Sequence, residues 1–179
     1  MADYQKEGKL GCFALTEHLA GVQSGLVCQT TADWDKTTQE FILNTPNFEA
    51  RKNWISQGFV AEKALVMADL RVDGESKGPT AFVTDFRKDG ELVDGVKIDD
   101  MGRKTTGNDL DNAWITFENV RIPKKSMLSK YAEIIDNEYV VKQKGVRPFD
   151  MVGQRLYSGR IAVAGAALAY RRQLYDQTK

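Results

Sequence analysis

From Gly11 to Ile122 the apolar positions fall in short runs rich in valine, isoleucine, phenylalanine and tryptophan, separated by glycine, asparagine, aspartate and proline. That is a strand-and-turn rhythm. Glu40-Phe41-Ile42-Leu43 leads into the turn-forming Asn44-Thr45-Pro46-Asn47, and Ala64 to Val72 leads into Asp73-Gly74 and Gly78-Pro79. Each reads as a strand followed by a turn. Thr80 to Phe86 and Ala113 to Val120 also suit strands. In the second, alternation puts Ala113, Ile115 and Phe117 on one face and Trp114, Thr116 and Glu118 on the other. The pattern predicts a mainly β fold, a small antiparallel β-barrel or sandwich over residues 1–135.

Past Ile122-Pro123 the character changes. Residues 136–153 read as a charged connector with a turn at Pro148, and Gln154 to Lys179 has almost no β-branched run, which predicts a long C-terminal α-helix of roughly 39 Å. Its middle, Ile161 to Ala169, is apolar on every side. A helix lying on a barrel needs only one apolar stripe, so close helix neighbours are expected, absent from this chain or supplied by another subunit. Asp176 to Lys179 follow the helical pattern with no glycine cap or proline stop. The chain reads as cut from something longer.

Composition then narrows the chemistry. Hydrophobic residues make up 42% and aromatics 9% of 179 residues, enough for a packed core. Twenty-five basic and twenty-five acidic residues cancel, leaving no global field to gather nucleic acid or an anionic membrane surface. Met1 to Lys9 is polar and lacks the apolar run of a signal peptide or membrane span. Cys12 and Cys28 are too few for a disulfide scaffold and lack the paired spacing of a metal site, so no metal is expected. The single histidine, His18, has no nucleophile motif beside it, which disfavours hydrolase chemistry.

Three segments carry candidate chemistry. In Gly11-Cys12-Phe13-Ala14-Leu15-Thr16-Glu17, followed by Gly21-Val22-Gln23-Ser24-Gly25, a strand ends in a polar turn whose glycines admit close ligand approach and whose Thr16 offers a hydroxyl. In Lys52-Asn53-Trp54-Ile55-Ser56-Gln57-Gly58 an aromatic plate precedes a hydroxyl by two residues, on the same side if the segment is extended. That pair suits a flat heteroaromatic ring, and equally suits a core tryptophan on a strand. Asp111-Asn112 suits a tight connection before the strand that Pro123 closes. Taken singly, each segment also reads as ordinary structure.

In this order the three segments resemble the flavin-dependent acyl-CoA oxidase and acyl-CoA dehydrogenase superfamily, specifically its middle β-domain. Gly11 to Glu17 is similar to the oxidase pattern Gly-Cys-Phe-Ala-(Leu/Met)-Thr-Glu. Asp111-Asn112, Val120-Arg121-Ile122-Pro123 and Met127-Leu128 are similar to its Asp-Asn-Gly, Val-Arg-Ile-Pro and Met-Leu, while Trp54-Ile55-Ser56-Gln57-Gly58 resembles the dehydrogenase Trp-Ile-Thr-Asn-Gly. Gly159-Arg160 and the alanine-rich run after it resemble the first helix of the family's C-terminal helical domain.

The resemblance implies FAD as cofactor, with Phe13, Leu15 and Thr16 along the flavin pyrimidine, Gly21 near the pyrophosphate, Trp54 flanking the isoalloxazine and Ser56 near N5. Val22-Gln23-Ser24 departs from the family's Gly-Ser-Asn or Gly-Ser-Asp, so the serine role there does not carry over cleanly. The implied reaction removes the α-proton of a fatty acyl-CoA with a glutamate while the β-hydrogen leaves as hydride, giving trans-2-enoyl-CoA. Molecular oxygen is the implied acceptor, with hydrogen peroxide as product, and an acyl-CoA dehydrogenase passing its electrons to an electron-transfer protein is the second choice. No residue aligns with that glutamate, since the position before Arg160 is Gly159. The resemblance further implies a homodimer, and a peroxisome or glycosome, with the mitochondrial matrix or cytoplasm as alternatives. A competing reading is a non-catalytic acyl-CoA-binding or assembly module derived from the same domain.

Overall fold

The computed structural model describes residues 8–21 and 27–178. It divides into two units, residues 1–144 and 145–179. Within the first, the longest pairing is a hairpin of β5 (Lys63–Val72) and β6 (Glu75–Asp85), turned at Asp73 and Gly74 with φ of 55° and 77°. Aspartate and glycine suit such a turn because both tolerate the left-handed region. The other edge of β5 takes two strands end to end. They are β1 (Gly11–Ala14), in register from Gly11 with Lys63, and β2 (Thr31–Asp35), in register from Thr31 with Asp69. The sheet then continues antiparallel through β3 (Glu40–Asn44) to β11 (Val120–Pro123).

A second sheet orders β4 (Lys52–Ile55), β10 (Ala113–Phe117) and β9 (Val96–Asp100). The alternation predicted for β10 holds: Ala113, Ile115 and Phe117 are buried and Trp114 and Thr116 half-buried. They share one core with Phe41, Leu43, Val66, Leu70 and Phe82 of the first sheet. Phe41 and Phe82 meet at 5.0 Å between ring centroids and Phe86 and Phe117 at 5.9 Å, the spacing of favourable aromatic pairs. A short hairpin of β7 (Arg87–Lys88) and β8 (Glu91–Leu92) lies beyond β6.

Four details differ from the sequence expectation. The β1–β5 and β2–β5 pairings are parallel rather than antiparallel, so the larger sheet is mixed. Gly78-Pro79 is not a turn but lies inside β6, Pro79 opposite Asp69. An edge strand tolerates a proline because its outer side needs no ladder donor, and among the strands β6 pairs with β5, its outer side bridging to Met127 at Phe82, three residues past Pro79. The β-unit does not end at 135: β12 (Ala132–Ile135) and β13 (Glu138–Val141) form a hairpin through Asp136 and Asn137, at φ 50° and 68°. Ile134 is buried in the main core, and the Trp34 indole donates to Asn137 Oδ1 at 3.1 Å. Finally, α1 (Pro148–Gln177) begins six residues before Gln154. Proline is tolerated in a first helical turn, where its missing N–H would have no partner. Asp150 caps the helix start by accepting from the Arg147 backbone N–H at 3.1 Å.

Candidate functional site

The site is built where the chain leaving β1 meets β4. Gly11 and Phe13 point outward while Cys12 and Ala14 are buried, so strand alternation alone leaves the Phe13 ring 44% exposed. Leu15 is buried and Thr16 half-buried. The following residues run antiparallel to the start of β4, with the Asn53 N–H donating to the Thr16 carbonyl at 2.8 Å and the His18 N–H to the Arg51 carbonyl at 3.0 Å. Gly21 is exposed at φ 49°, and its N–H donates to the Glu17 carbonyl at 3.2 Å. Val22, Gln23 and Ser24 lie outside the described residues.

Beneath this seam sits an ion pair that no sequence motif announces. Glu17 and Lys52 are both fully buried and 2.9 Å apart. Lys52 Nζ also donates to the Leu15 carbonyl at 3.2 Å and to the Met67 carbonyl at 2.6 Å. The Glu17 carboxylate accepts from the Gln29 and Thr30 backbone N–H groups at 2.7 and 2.9 Å. A buried pair is tolerable only with its remaining donors and lone pairs satisfied, and here those partners are backbone groups of three segments. The pair therefore stitches Leu15, β5 and Gln29-Thr30 to β4. Both residues stand inside the recognised motifs, but 35 residues separate them, and no local pattern signals the pairing.

Trp54 and Ser56 both face outward on either side of buried Ile55. The segment is not simply extended, however. Opposite β10, Ile115 pairs with Lys52 and Ala113 with Ile55, so β4 carries one extra residue, and Trp54 stands at φ 62°. Bulges bend a strand and re-aim side chains, and a bulky residue in the left-handed region is a strained exception. The strain leaves the indole 53% exposed. Gly58 closes the turn after Ser56 because a Cβ there would stand 2.5 Å from Ala113 Cβ.

Ser56 Oγ accepts from Asn112 Nδ2 at 3.2 Å, and Asn112 Oδ1 accepts from Lys104 Nζ at 2.6 Å. Lys104 also donates to the Leu110 carbonyl. Lys104 and Asn112 line a cleft of about 480 Å³ together with Phe59, Arg103 and Leu110. The thiols are not reactive groups of the site. Burial pushes Cys12 up to about 12 and Cys28 up to about 11, Cys28 despite the opposing effect of nearby Lys52, leaving both protonated and weakly nucleophilic near neutrality. Among the described residues no cluster of histidine, cysteine and carboxylate could hold a metal, and no helix is long and apolar enough to cross a membrane.

No family model matches the chain. It is 38% identical over 162 residues to acyl-coenzyme A oxidase 2 of Yarrowia lipolytica, covering 86% of this chain and 22% of that protein. It is 37% identical over 164 residues to peroxisomal acyl-coenzyme A oxidase 3 of Homo sapiens, covering 88% and 23%. The fold superposes on the crystal structure of acyl-CoA oxidase 1 from Yarrowia lipolytica with a TM-score of 0.72 at 35% identity, over 80% of this chain and 22% of that one. Acyl-CoA oxidase-1 of Caenorhabditis elegans complexed with FAD and ATP superposes with a TM-score of 0.70 at 32% identity, over 76% of this chain and 21% of that one. The chain thus spans less than a quarter of the length of these relatives.

Proposed function

The chain belongs to the acyl-CoA oxidase branch of the flavin-dependent acyl-CoA oxidase and dehydrogenase superfamily, and from that premise we propose that its β-unit is the wall on which FAD and a fatty acyl-CoA meet. The observation that carries this is the bulge in β4, which holds an exposed Trp54 beside an exposed Ser56 hydroxyl. An indole plate and an edge donor are what a flat, polar-edged ring needs. Exposed Phe13 and Gly21 and half-buried Thr16 would continue that surface, with buried Leu15 contributing through its backbone. The described residues fit the ring end of the cofactor. Its pyrophosphate end would fall towards Gly21.

Bound FAD would supply a hydride acceptor, which no amino-acid side chain can be. This chain's own part is to seat the ring, exclude water from its face and present donors to its edge. The α-proton needs a carboxylate base, and α1 holds acids only at Asp150 and Asp176, with Gly159 before Arg160. We assign the base to parts of the enzyme outside this chain. Oxidation of fatty acyl-CoA to trans-2-enoyl-CoA with oxygen as acceptor, and assembly into a homodimer, therefore belong to the longer enzyme of which this segment is a part. A peroxisomal location follows the human relative.

The test is a titration of FAD into the purified chain, followed by quenching of flavin and tryptophan fluorescence. Saturable quenching that falls at least tenfold in affinity in Trp54→Ala supports the reading, in line with the 1–3 kcal/mol of a base–aromatic stack. Binding unchanged by Trp54→Ala, or no binding by the folded chain, would sink it.

A further inference from the structure

The chain of contacts from Lys104 through Asn112 to Ser56 has a direction. An ammonium group has donors and no lone pair, so the Asn112 atom 2.6 Å from Lys104 Nζ must be the amide oxygen. That fixes the side-chain orientation, which geometry alone often leaves open, and turns the amide NH2 towards Ser56 Oγ at 3.2 Å. Asn112 is 8% exposed and held by its neighbours: its own carbonyl accepts from the Met101 N–H at 3.0 Å. A hydroxyl carries one donor and two acceptor sites. With one acceptor site of Ser56 taken by Asn112, no acceptor among the described residues takes the hydroxyl proton, and the exposed side chain leaves it facing outward.

We propose that Asn112 and Lys104 are positioning residues that occupy one acceptor site of Ser56 and leave its hydroxyl proton to be donated outward, favouring a ligand whose ring edge presents a bare acceptor such as an imine-type nitrogen. This rests on the flavin reading and deepens it. The cation at the far end polarises the amide, and hydrogen bonds in series strengthen one another in the same direction. A ligand edge presenting an N–H at this point finds only the one remaining lone pair of Ser56 and leaves the outward proton without an acceptor.

Two arms test it. In the first, FAD affinity of the chain is measured for Ser56→Ala, Asn112→Ala, Asn112→Asp and Lys104→Met. Losing one oriented hydrogen bond is worth about threefold to tenfold in affinity. Asn112→Ala should show that loss alone and none in the Ser56→Ala background, as expected for residues acting in one chain. Asn112→Asp should weaken binding further, because its carboxylate accepts the serine proton and turns the donor inward. Additive losses, or Asn112→Asp binding as well as the unmutated chain, overturn the proposal. The second arm needs no cofactor. The Asn112 side-chain amide signal in nitrogen-15 spectra should move in both Ser56→Ala and Lys104→Met, the latter keeping the stem and the fold. An amide signal indifferent to both substitutions overturns the relay. Absence of FAD binding by the unmutated chain, with the amide signal still responding, overturns the flavin reading and leaves the relay standing.

Discussion

The β-unit and the helix satisfy their hydrophobic residues in opposite ways. In residues 1–144 the inward-facing large apolar side chains of β3, β5, β6 and β10 are out of water, with Phe41, Leu43, Val66, Leu70, Phe82 and Ile115 at 0% exposure. In α1 the comparable residues are open, Val163 at 69% and Leu168 at 67%. The β-unit has its own core; the helix carries apolar surface on every side and no core of its own. The difference teaches where a candidate site can be built. Strain at Trp54 and a buried ion pair at Glu17 and Lys52 are both costly, and only a unit with a closed core can hold them in place.

The contrast can be broken most severely at that ion pair. Lys52→Met should leave the Glu17 carboxylate buried without its cation and destabilise the β-unit by about 3–5 kcal/mol, read as a shift of the urea transition followed by tryptophan fluorescence. Adding Glu17→Leu to it should recover much of that loss, whereas a loss confined to a few tenths of a kcal/mol in the single variant would mean that the pair contributes little. A smaller effect is expected at Gly58, where an alanine must displace Ala113 or the turn itself. Overpacking of this kind costs roughly 1–3 kcal/mol, and in Gly58→Ala it should also weaken FAD binding by shifting Ser56. The smallest effect lies in the helix and has the opposite sign. A Cβ at Gly165 meets nothing within 4 Å, so Gly165→Ala should raise helix stability by about 0.5–1 kcal/mol, seen as a later loss of ellipticity at 222 nm on heating with the β-unit transition unmoved. A coupled shift of both transitions would show that the two units do not unfold separately.

Much of the fold is legible along the chain because strands announce themselves locally. The alternation in β10 and the Asp73-Gly74 turn need only neighbours a few residues away. The misplaced features are those where local signals compete. Gly78-Pro79 is turn-forming by composition, yet it continues a strand because an edge position removes the penalty. Pro148 reads as a break, yet it opens a helix because Asp150 stands where a cap is needed. The β12–β13 hairpin is spoken for by Asp136-Asn137 and by Ile134, whose burial no charged-connector pattern foretells.

The mainly strand character, the helix after it and the motif order that marks the family are written into the sequence. All of these reside in residue types and short spacings. Tertiary structure alone decided that Glu17 and Lys52 are partners, that Trp54 is turned out by a bulge, and that Lys104 reaches Ser56 through Asn112. Each depends on the register between strands remote in the chain, and register is fixed by how whole faces bury together rather than by any residue's own preference.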